Sequence, residues 1–414
     1  MTDHPDSRAV RSLLTAAAVR ERADGLLEHG IQGRLHHFTV DLGGLDAAAD
    51  EVVATIRAAY PSLDIPFHAR WRHFAADGVE RWGTLLAGVP WPDEASMARA
   101  AFDLAIVSVL LDAGAGPQWR YEEGRTGETY TRSEGLAVAS FDMFIGGVFS
   151  SRPEDPYRVD AGALMALTAQ ELAAGFQVSH GNPLVGVEGR AALLNRLGRV
   201  VATAPDIFGQ EDDPRPGGLF DAIVATAAAN GAVRAAAILE AILDHLGAIW
   251  PGRTVLGGVD LGDTWRHPLA RAPDATDGLV PFHKLSQWLS YSLIEPLEGA
   301  GFTVVDVDGL TGLPEYRNGG LFLDTGVIAL KDPDESGRAH AVDSALVVEW
   351  RALTVALLDR IAVPIRSKLG LAREDFPLAK VLEGGTWATG RRLAKERRGD
   401  GSPPLQVISD GTVF

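Results

Sequence analysis

Cysteine is absent from this sequence of 414 residues. Its absence excludes disulfide bonds, cysteine nucleophiles and metal sites built from thiolates. Histidine, another common metal ligand, occurs in two local groups: His36 with His37, and His68 with His73 on either side of Trp71. Neither spacing matches a zinc signature, and core or surface histidines account for both groups. We therefore predict neither a metal site nor a cofactor.

Long apolar runs are also missing, because no stretch approaches the roughly 20 residues that a membrane-spanning helix needs. Residues 1–11 are polar and contain no apolar signal-peptide core. We therefore expect a cytoplasmic protein without a membrane partner. Basic residues number 38 and acidic residues 55, which gives a net charge of −17. This balance argues against nucleic acid as a partner, whereas a few placed cations can still hold a small phosphate compound.

Helical periodicity dominates the chain, and strand-like pieces are short. The predicted helices cover residues 10–18, 97–111, 161–176, 189–202, 219–228, 232–249 and 345–361. A hairpin is predicted at 119–131, and strands at 254–259, 302–307 and 405–414. We predict a mainly α fold, a helical body with small β-ribbons, as a single domain over residues 1–414. Loops at 208–218 and 267–278 interrupt it, and the first separates possible subregions 1–207 and 219–414.

The segment after Pro281 carries a polar face that could bind a ligand. Pro281 suits the first position of a helix. Lys284, Gln287, Trp288 and Tyr291 then fall on one side, at helical spacing. A cation, an amide and two rings resemble the wall of a ligand pocket. The alternative is an amphipathic helix whose lysine reaches out to solvent.

The turn before residue 320 places charged residues inside a glycine-rich and proline-rich path. If Pro314 opens a helix, Glu315 lies in its first turn, where the helix dipole favours an ionised carboxylate. Glycoside cleavage needs such a carboxylate, to face the oxocarbenium-like transition state or to activate water. The alternative is a capping glutamate followed by an exposed arginine, Arg317.

Three charged residues conflict with their local surroundings. Asp112 ends the apolar 97–111 segment, where the helix dipole repels a carboxylate, so it needs a cation such as Arg120 or Arg132, or a ligand donor. Glu349 and Arg351 lie inside another apolar helix and, two residues apart, cannot pair with each other. Each needs a partner from elsewhere, because an unpaired buried charge is very costly. The alternative to a functional site is a structural network of ion pairs.

Three runs of the sequence are distinctive: LDAGAGPQWRY (111–121), RSEGLAVASF (132–141) and HGNPLVG (180–186). Through them the chain resembles the uracil-catabolism protein family of fungi and bacteria, a family long described only as a domain of unknown function. The resemblance covers nearly the whole chain. The family's place in a ring-opening uracil route that ends in urea implies a small leaving group.

A more distant resemblance, to the queuosine 5′-phosphate N-glycosidases, implies a chemistry. FHKLSQ (282–287) resembles their Phe-Tyr-Lys-Arg-Ala-Gln, PEYR (314–317) lies where they have Ala-Asp-Tyr-Arg, and EWR (349–351) is similar to their Glu-Ile-Arg. Asp112, Trp119 and Trp387 also have counterparts, in the same order. The resemblance implies a helical fold related to DNA glycosylases and hydrolysis of an N-ribosidic bond. It carries the catalytic carboxylate over to Glu315 and pocket roles to Lys284, Arg317, Asp112, Glu349 and Arg351. We predict two catalytic residues, Glu315 and Asp112, and substrate-binding roles for Lys284, His283, Gln287, Tyr316, Arg317, Glu349, Arg351, Trp119 and Trp387.

The departures from that family indicate a remodelled base pocket. Glutamate replaces the catalytic aspartate at 315, and histidine replaces the tyrosine at 283. The leading hypothesis is hydrolysis of a ribosyl 5-phosphate compound, such as ribosylurea phosphate, with Lys284 and Arg317 as candidate phosphate partners. The alternatives are a transferase that uses an acceptor other than water, and a non-catalytic binding or scaffold protein of the same route. The leaving group, the phosphate-binding cation and the oligomeric state stay open at this level.

Overall fold

A computed structural model describes residues 5–209, 214–250 and 254–408. Helices dominate it, and every strand lies in a ribbon of two within these ranges, which confirms the predicted mainly α fold with small β-ribbons. Its contacts divide the chain into two compact units. Unit 1 contains Met1–His68, Gly252–Gln287 and Asp306–Phe414, and unit 2 contains Ala69–Pro251 and Trp288–Val305.

Unit 1 combines its helices with four ribbons. Its helices are Pro5–Ser12, Ala16–Ile31, Leu45–Ala59, the start of Lys284–Ser292 as far as Gln287, Tyr316–Asp324, Ala345–Leu369, Leu378–Val381 and Trp387–Arg398, the last two joined by a π-helical turn, Leu382–Thr386. Its antiparallel ribbons pair Phe38–Val40 with Ile328–Leu330, Val255–Leu256 with Val259–Asp260, and Thr264–Arg266 with Leu279–Pro281. A parallel ribbon pairs Ala339–Ala341 with Gln406–Ile408.

The core of unit 1 forms around the helix Ala345–Leu369. The hydroxyl of Ser344 caps its first turn, and Gly370, at a φ of 72°, ends it in the left-handed conformation that glycine adopts without strain. Every residue from Leu346 to Leu358 is buried. Because this stretch is covered all round, the two charged residues in it, Glu349 and Arg351, lie inside the protein.

Unit 2 contains two ribbons and the remaining helices of the described residues. The helices are Arg70–Phe74, Arg81–Gly88, Glu94–Leu110, Arg132–Ile145, Ala161–Ala166, Ala169–Gly175, Val187–Thr203, Pro205–Phe208, Leu219–Val224, Ala235–Leu246 and Ile294–Gly299, together with the end of Lys284–Ser292. Tyr121–Glu122 pairs with Thr129–Tyr130 antiparallel, and Ala232–Arg234 pairs with Thr303–Val305 in parallel. The first ribbon confirms the predicted hairpin.

A buried helix also lies at the core of unit 2. Glu94–Leu110 begins at the capping carboxylate of Asp93 and is buried continuously from Ala100. Within it Asp103 accepts hydrogen bonds from the backbone N–H groups of Val159 and Gly217 and pairs with Arg215. These partners compensate a charge that would otherwise be costly to bury.

Several predicted boundaries were wrong. Pro281 ends a strand and the helix begins at Lys284, because proline suits the last residue of a ribbon as well as the first of a helix. The 161–176 segment forms two helices, since Thr168 and Glu171 form a capping box that starts a second one. The 232–249 segment begins as a strand.

Strand predictions were also refined by the structure. The 254–259 run is a tight hairpin around Gly257 and Gly258, both at positive φ, rather than one strand. The 302–307 and 405–414 predictions are shortened to Thr303–Val305 and Gln406–Ile408, and residues 409–414 lie outside the described ranges.

Neither predicted loop separates the two units, because residues on both sides of 208–218 belong to unit 2 and those around 267–278 to unit 1. A single domain over 1–414 stays a prediction. Within the described ranges, no helix combines the length and apolarity needed to cross a membrane.

Candidate functional site

Glu315 begins the helix Tyr316–Asp324 in unit 1. It is the capping residue itself, one position before the predicted first turn, and has an extended backbone. Its two carboxylate oxygens accept the backbone N–H groups of Arg317 at 2.8 Å and Asn318 at 2.5 Å. The residue is only 8% exposed, so the acidic side chain of this turn points into the protein.

The charge of Glu315 is subject to opposing influences. Burial raises the pKa of this carboxyl above its ordinary value, while the N–H groups of Arg317 and Asn318 and the positive charges of Lys284 and His68 act to lower it. Lys284 and His68 therefore lie within electrostatic reach of the carboxylate. A buried carboxyl with nearby cations is a frequent feature of catalytic sites.

Asp263 joins three elements of unit 1. Both of its oxygens accept hydrogen bonds from the guanidinium of Arg351, each at 2.7 Å. The same carboxylate accepts the backbone N–H of Lys284 at 3.0 Å and the indole N–H of Trp265 at 2.6 Å. The bidentate pair satisfies Arg351, as its burial required, and fixes the start of the helix that carries Lys284.

Arg351 also reaches the turn that carries Glu315. Its Nε lies 3.5 Å from the carbonyl oxygen of Pro314, and its guanidinium carbon lies 4.1 Å from the ring centre of Phe282. Arg351 is almost fully buried. We therefore assign it a positioning role, because its guanidinium connects the Lys284 helix with the residue before Glu315.

The predicted wall on the helix Lys284–Ser292 is mostly internal. Lys284 is half-buried, whereas Gln287, Trp288 and Tyr291 are buried. The amide of Gln287 donates to the carbonyl of Phe282 and the hydroxyl of Thr311, and accepts the backbone N–H of Thr311. Gln287 therefore clamps the loop before Glu315, and these contacts give it a structural role in place of the predicted contact with substrate.

His283 precedes that helix in a strained conformation, with a φ of 49°. Its Nε2 lies 2.9 Å from the carbonyl oxygen of Leu13, so this nitrogen carries the proton. Burial lowers the pKa of the imidazole. A neutral buried ring that is tied to the backbone fits a structural role better than the predicted contact with substrate.

Glu349 is held by three protein groups. Its carboxylate accepts the backbone N–H groups of His36 at 2.9 Å and His37 at 3.0 Å, and lies 3.2 Å from Nε2 of His267. Burial disfavours its charge, but the bonds to His267, His36 and His37 outweigh this effect and lower its pKa. Glu349 therefore has the partners that its burial required, and its role in substrate binding stays a prediction.

Arg317, Tyr316 and Trp387 have different surroundings. Arg317 is buried, donates to the carbonyl of Gly401 at 2.8 Å, and lies over the ring of Tyr316. These contacts do not favour Arg317 as the phosphate partner and leave Lys284 as the better candidate. Trp387 is half-buried, and its ring lies 6.2 Å from that of His68.

Two predicted site residues, Asp112 and Trp119, belong to unit 2. Asp112 lies 3.3 Å from the guanidinium of Arg70 and accepts the hydroxyl of Ser133 at 3.3 Å. Its cation is therefore Arg70, and not Arg120 or Arg132 as expected. Arg190 satisfies the end of the same helix by donating to the carbonyls of Leu111 and Ala113.

Trp119 is a core residue. Only 1% of it is exposed, its ring packs edge-on against Phe176, and its indole N–H donates to the carbonyl of Phe176 at 2.9 Å. Almost none of its surface is exposed, and its substrate-binding role stays a prediction from the resemblance.

Unit 1 thus contains all the predicted site residues except Asp112 and Trp119, and places Lys284 within electrostatic reach of Glu315. Sequence reasoning missed two residues that interact with these, Asp263 and His68. Asp263 carries no local signal, because its main partner is 88 residues away. His68 was noted only as one of a pair with His73; its main partner is Glu383, 315 residues away. Within the described ranges, no three His, Asp or Glu side chains group in a way that could hold a metal ion.

Fold and site define a mainly helical protein with a buried carboxylate at a helix N-terminus, close to a lysine and a histidine. Comparison with known proteins identifies the family: residues 12–414 match the family described as "Protein of unknown function (DUF1688)", and the chain belongs to it. Protein urg3 of Schizosaccharomyces pombe is 39% identical over 417 residues, covering 99% of this chain and all of that protein. Uracil catabolism protein 4 of Lachancea kluyveri is 38% identical over 436 residues, covering 96% of this chain and 97% of that protein. The predicted family is thereby confirmed.

Proposed function

We propose that this protein is an N-glycoside hydrolase that cleaves a small ribosyl 5-phosphate compound, ribosylurea phosphate, in uracil catabolism. The name of the Lachancea kluyveri relative supports the pathway. The order of the motifs shared with queuosine 5′-phosphate N-glycosidases supports the reaction class and a fold related to DNA glycosylases.

The observation that carries the proposal is the setting of Glu315. This capping carboxylate is buried, and Lys284 and His68 lie within electrostatic reach of it. Burial strengthens its interaction with a positive centre, because the surrounding dielectric constant is low. An N-ribosidic bond breaks through such a centre, since the sugar carbon becomes oxocarbenium-like as the nitrogen departs.

In this mechanism Glu315 faces the sugar carbon and orients the attacking water. Lys284, which is half-buried on the adjacent helix start, binds the phosphate as a point charge. Arg351 and Asp263 hold both segments in place through the bonds to the Lys284 N–H and the Pro314 carbonyl. Holding reactants in a fixed geometry is itself a large part of catalysis.

The test incubates the purified protein with synthetic ribosylurea 5-phosphate and assays urea. Wild-type protein is expected to release urea, and Glu315→Gln to lower kcat by about 10²–10⁴-fold, the usual contribution of such a group. Asp160→Asn is the matched control, because Asp160 is also a buried capping carboxylate, in unit 2, that accepts the N–H groups of Ala163 and Ser151. This control is expected to turn over normally.

Two results would contradict the proposal. Wild-type protein that releases no urea contradicts the substrate, and full turnover by Glu315→Gln contradicts the role of that carboxylate. A requirement for an added base or pyrophosphate would identify a transferase. A protein without turnover whose melting temperature no ribosyl phosphate raises would be the non-catalytic alternative.

A further inference from the structure

His68 is held by a carboxylate that comes from a distant part of unit 1. Its Nδ1 lies 2.6 Å from Oε2 of Glu383, and its backbone N–H donates to the carbonyl of Ala379 at 3.1 Å. Because an ionised carboxylate only accepts hydrogen bonds, Nδ1 carries a proton. Nε2 is then the nitrogen through which the ring takes up or releases its second proton, as in other histidines oriented by a carboxylate.

Glu383 lies in an irregular part of its helix. The π-helical turn Leu382–Thr386 interrupts the helical segment that runs from Leu378 to Arg398. Such turns are rare and occur frequently at functional sites. Here the turn is packed tightly: a Cβ on Gly384 would lie 2.7 Å from Ile65, and one on Gly385 2.6 Å from Val52. The turn therefore holds Glu383 rigidly against His68.

The same segment packs against the helix that Glu315 caps. The two segments approach closely at Gly390, where a Cβ would lie 2.1 Å from the carbonyl oxygen of Arg317. Gly390 is three residues beyond Trp387, which contacts His68, and Arg317 is two residues beyond Glu315. Trp387 and Glu315 thus lie within about one helical turn of the same contact, with His68 beside Trp387 and Glu383 seven residues before Gly390. The electrostatic effect of His68 on Glu315 agrees with this geometry.

We propose that His68, oriented by Glu383, is a second acid–base residue that protonates the departing nitrogen while Glu315 acts at the sugar carbon. This inference rests on the proposed function. The bond between the sugar carbon and nitrogen breaks, its electron pair goes to the nitrogen, and the nitrogen takes the proton of the imidazolium. The water oxygen bonds to the sugar carbon and gives its proton to the Glu315 carboxylate. Proton exchange with solvent then restores both residues.

The test compares two leaving groups. Urea is a poor leaving group without a proton, whereas nicotinamide departs from nicotinamide ribose 5-phosphate as a neutral molecule. We expect His68→Gln to lower kcat on ribosylurea 5-phosphate by about 10²–10⁴-fold and on the nicotinamide compound by less than about tenfold. KM is expected to change little. Glu315→Gln is expected to lower both rates, because both reactions pass through the oxocarbenium-like centre.

Two further variants test the geometry. Glu383 is a positioning residue, so Glu383→Gln is expected to show the same preference for the nicotinamide compound with a smaller loss of kcat. His340→Gln is the matched control, because His340 also lies beside a glutamate in unit 1, with Nε2 3.7 Å from Glu335. It is expected to cleave both compounds at the wild-type rate. Melting temperatures check that all variants fold.

The outcomes separate the two proposals. Equal losses on both compounds in His68→Gln, or no loss on either, would overturn the acid–base role of His68. Wild-type protein that releases neither urea nor nicotinamide would instead overturn the proposed hydrolase and, with it, the role of His68.

Discussion

The most specific prediction about stability concerns the ion pair between Asp263 and Arg351. Arg351 is almost completely buried, and both of its terminal nitrogens donate to Asp263 at 2.7 Å. Asp263→Ala leaves this guanidinium in the interior without its carboxylate. Breaking a buried pair in this way costs about 3–5 kcal/mol, since the remaining charge is uncompensated. Loss of the bond to the Lys284 N–H adds about 1 kcal/mol, as for other helix caps.

Urea unfolding measures this loss as the change in the free energy of unfolding. The matched control is Arg392→Met, which removes surface pairs with Glu51 and Glu396 in the same unit. Surface pairs contribute at most about 1 kcal/mol, so the control is expected to unfold close to the wild type. A loss below about 1 kcal/mol in Asp263→Ala would refute the assignment of this bond as a central support of unit 1.

A double variant separates the fold from the function. Replacing a buried ion pair by apolar residues of similar volume is often neutral, so Asp263→Leu with Arg351→Met is expected to recover most of the lost stability. Urea release is nevertheless expected to stay low, because the Lys284 N–H and the Pro314 carbonyl both lose their partner. Full turnover by the double variant would show that the pair does not position the site.

Two other predictions concern acid stability and helix packing. Burial opposes the charge of Glu349, but the bonds to His267, His36 and His37 lower its pKa below the ordinary value of 4.5. The ionised group therefore stabilises the fold at pH values above 4.5 and loses this effect as the pH falls below that value. Glu349→Gln is expected to flatten the fall of the melting temperature in that acidic range, and an unchanged slope would contradict this. Gly390→Ala is expected to cost about 1–3 kcal/mol, because the new methyl group would meet the Arg317 carbonyl at 2.1 Å, and also to lower turnover. Gly189→Ala, with nothing within 4 Å, is the control and is expected to unfold no more easily than wild type.

Predictions from the sequence were correct where burial of a segment leaves a local pattern of apolar residues. The apolar helix around Glu349 and Arg351 required partners for both charges, and each has them. The identity of those partners could not be predicted, because His267 and Asp263 are 82 and 88 residues away. Spacing along a chain carries no information about such contacts.

The wrong predictions came from local sequence patterns that are compatible with two different structures. Pro281 was compatible with a helix start and with the end of a ribbon, and pairing with Thr264 decided the outcome. His68 was assessed against His73 as a possible metal ligand, whereas its partner Glu383 lies in a π-helical turn. Short-range periodicity does not reveal such a turn, because the residues on both sides of it have ordinary helical spacing.

A carboxylate that caps a helix can also exchange a proton during catalysis only if its hydrogen bonds to the helix persist when its charge changes. Each oxygen of Glu315 accepts a single backbone N–H, and each has a second lone pair for water or a sugar. The helix N-terminus favours the ionised form, while burial favours the protonated one. Because burial outweighs the opposing effects and raises the pKa of the carboxyl, it accepts a proton from water more readily than an exposed glutamate does, while Arg317 and Asn318 keep it in place.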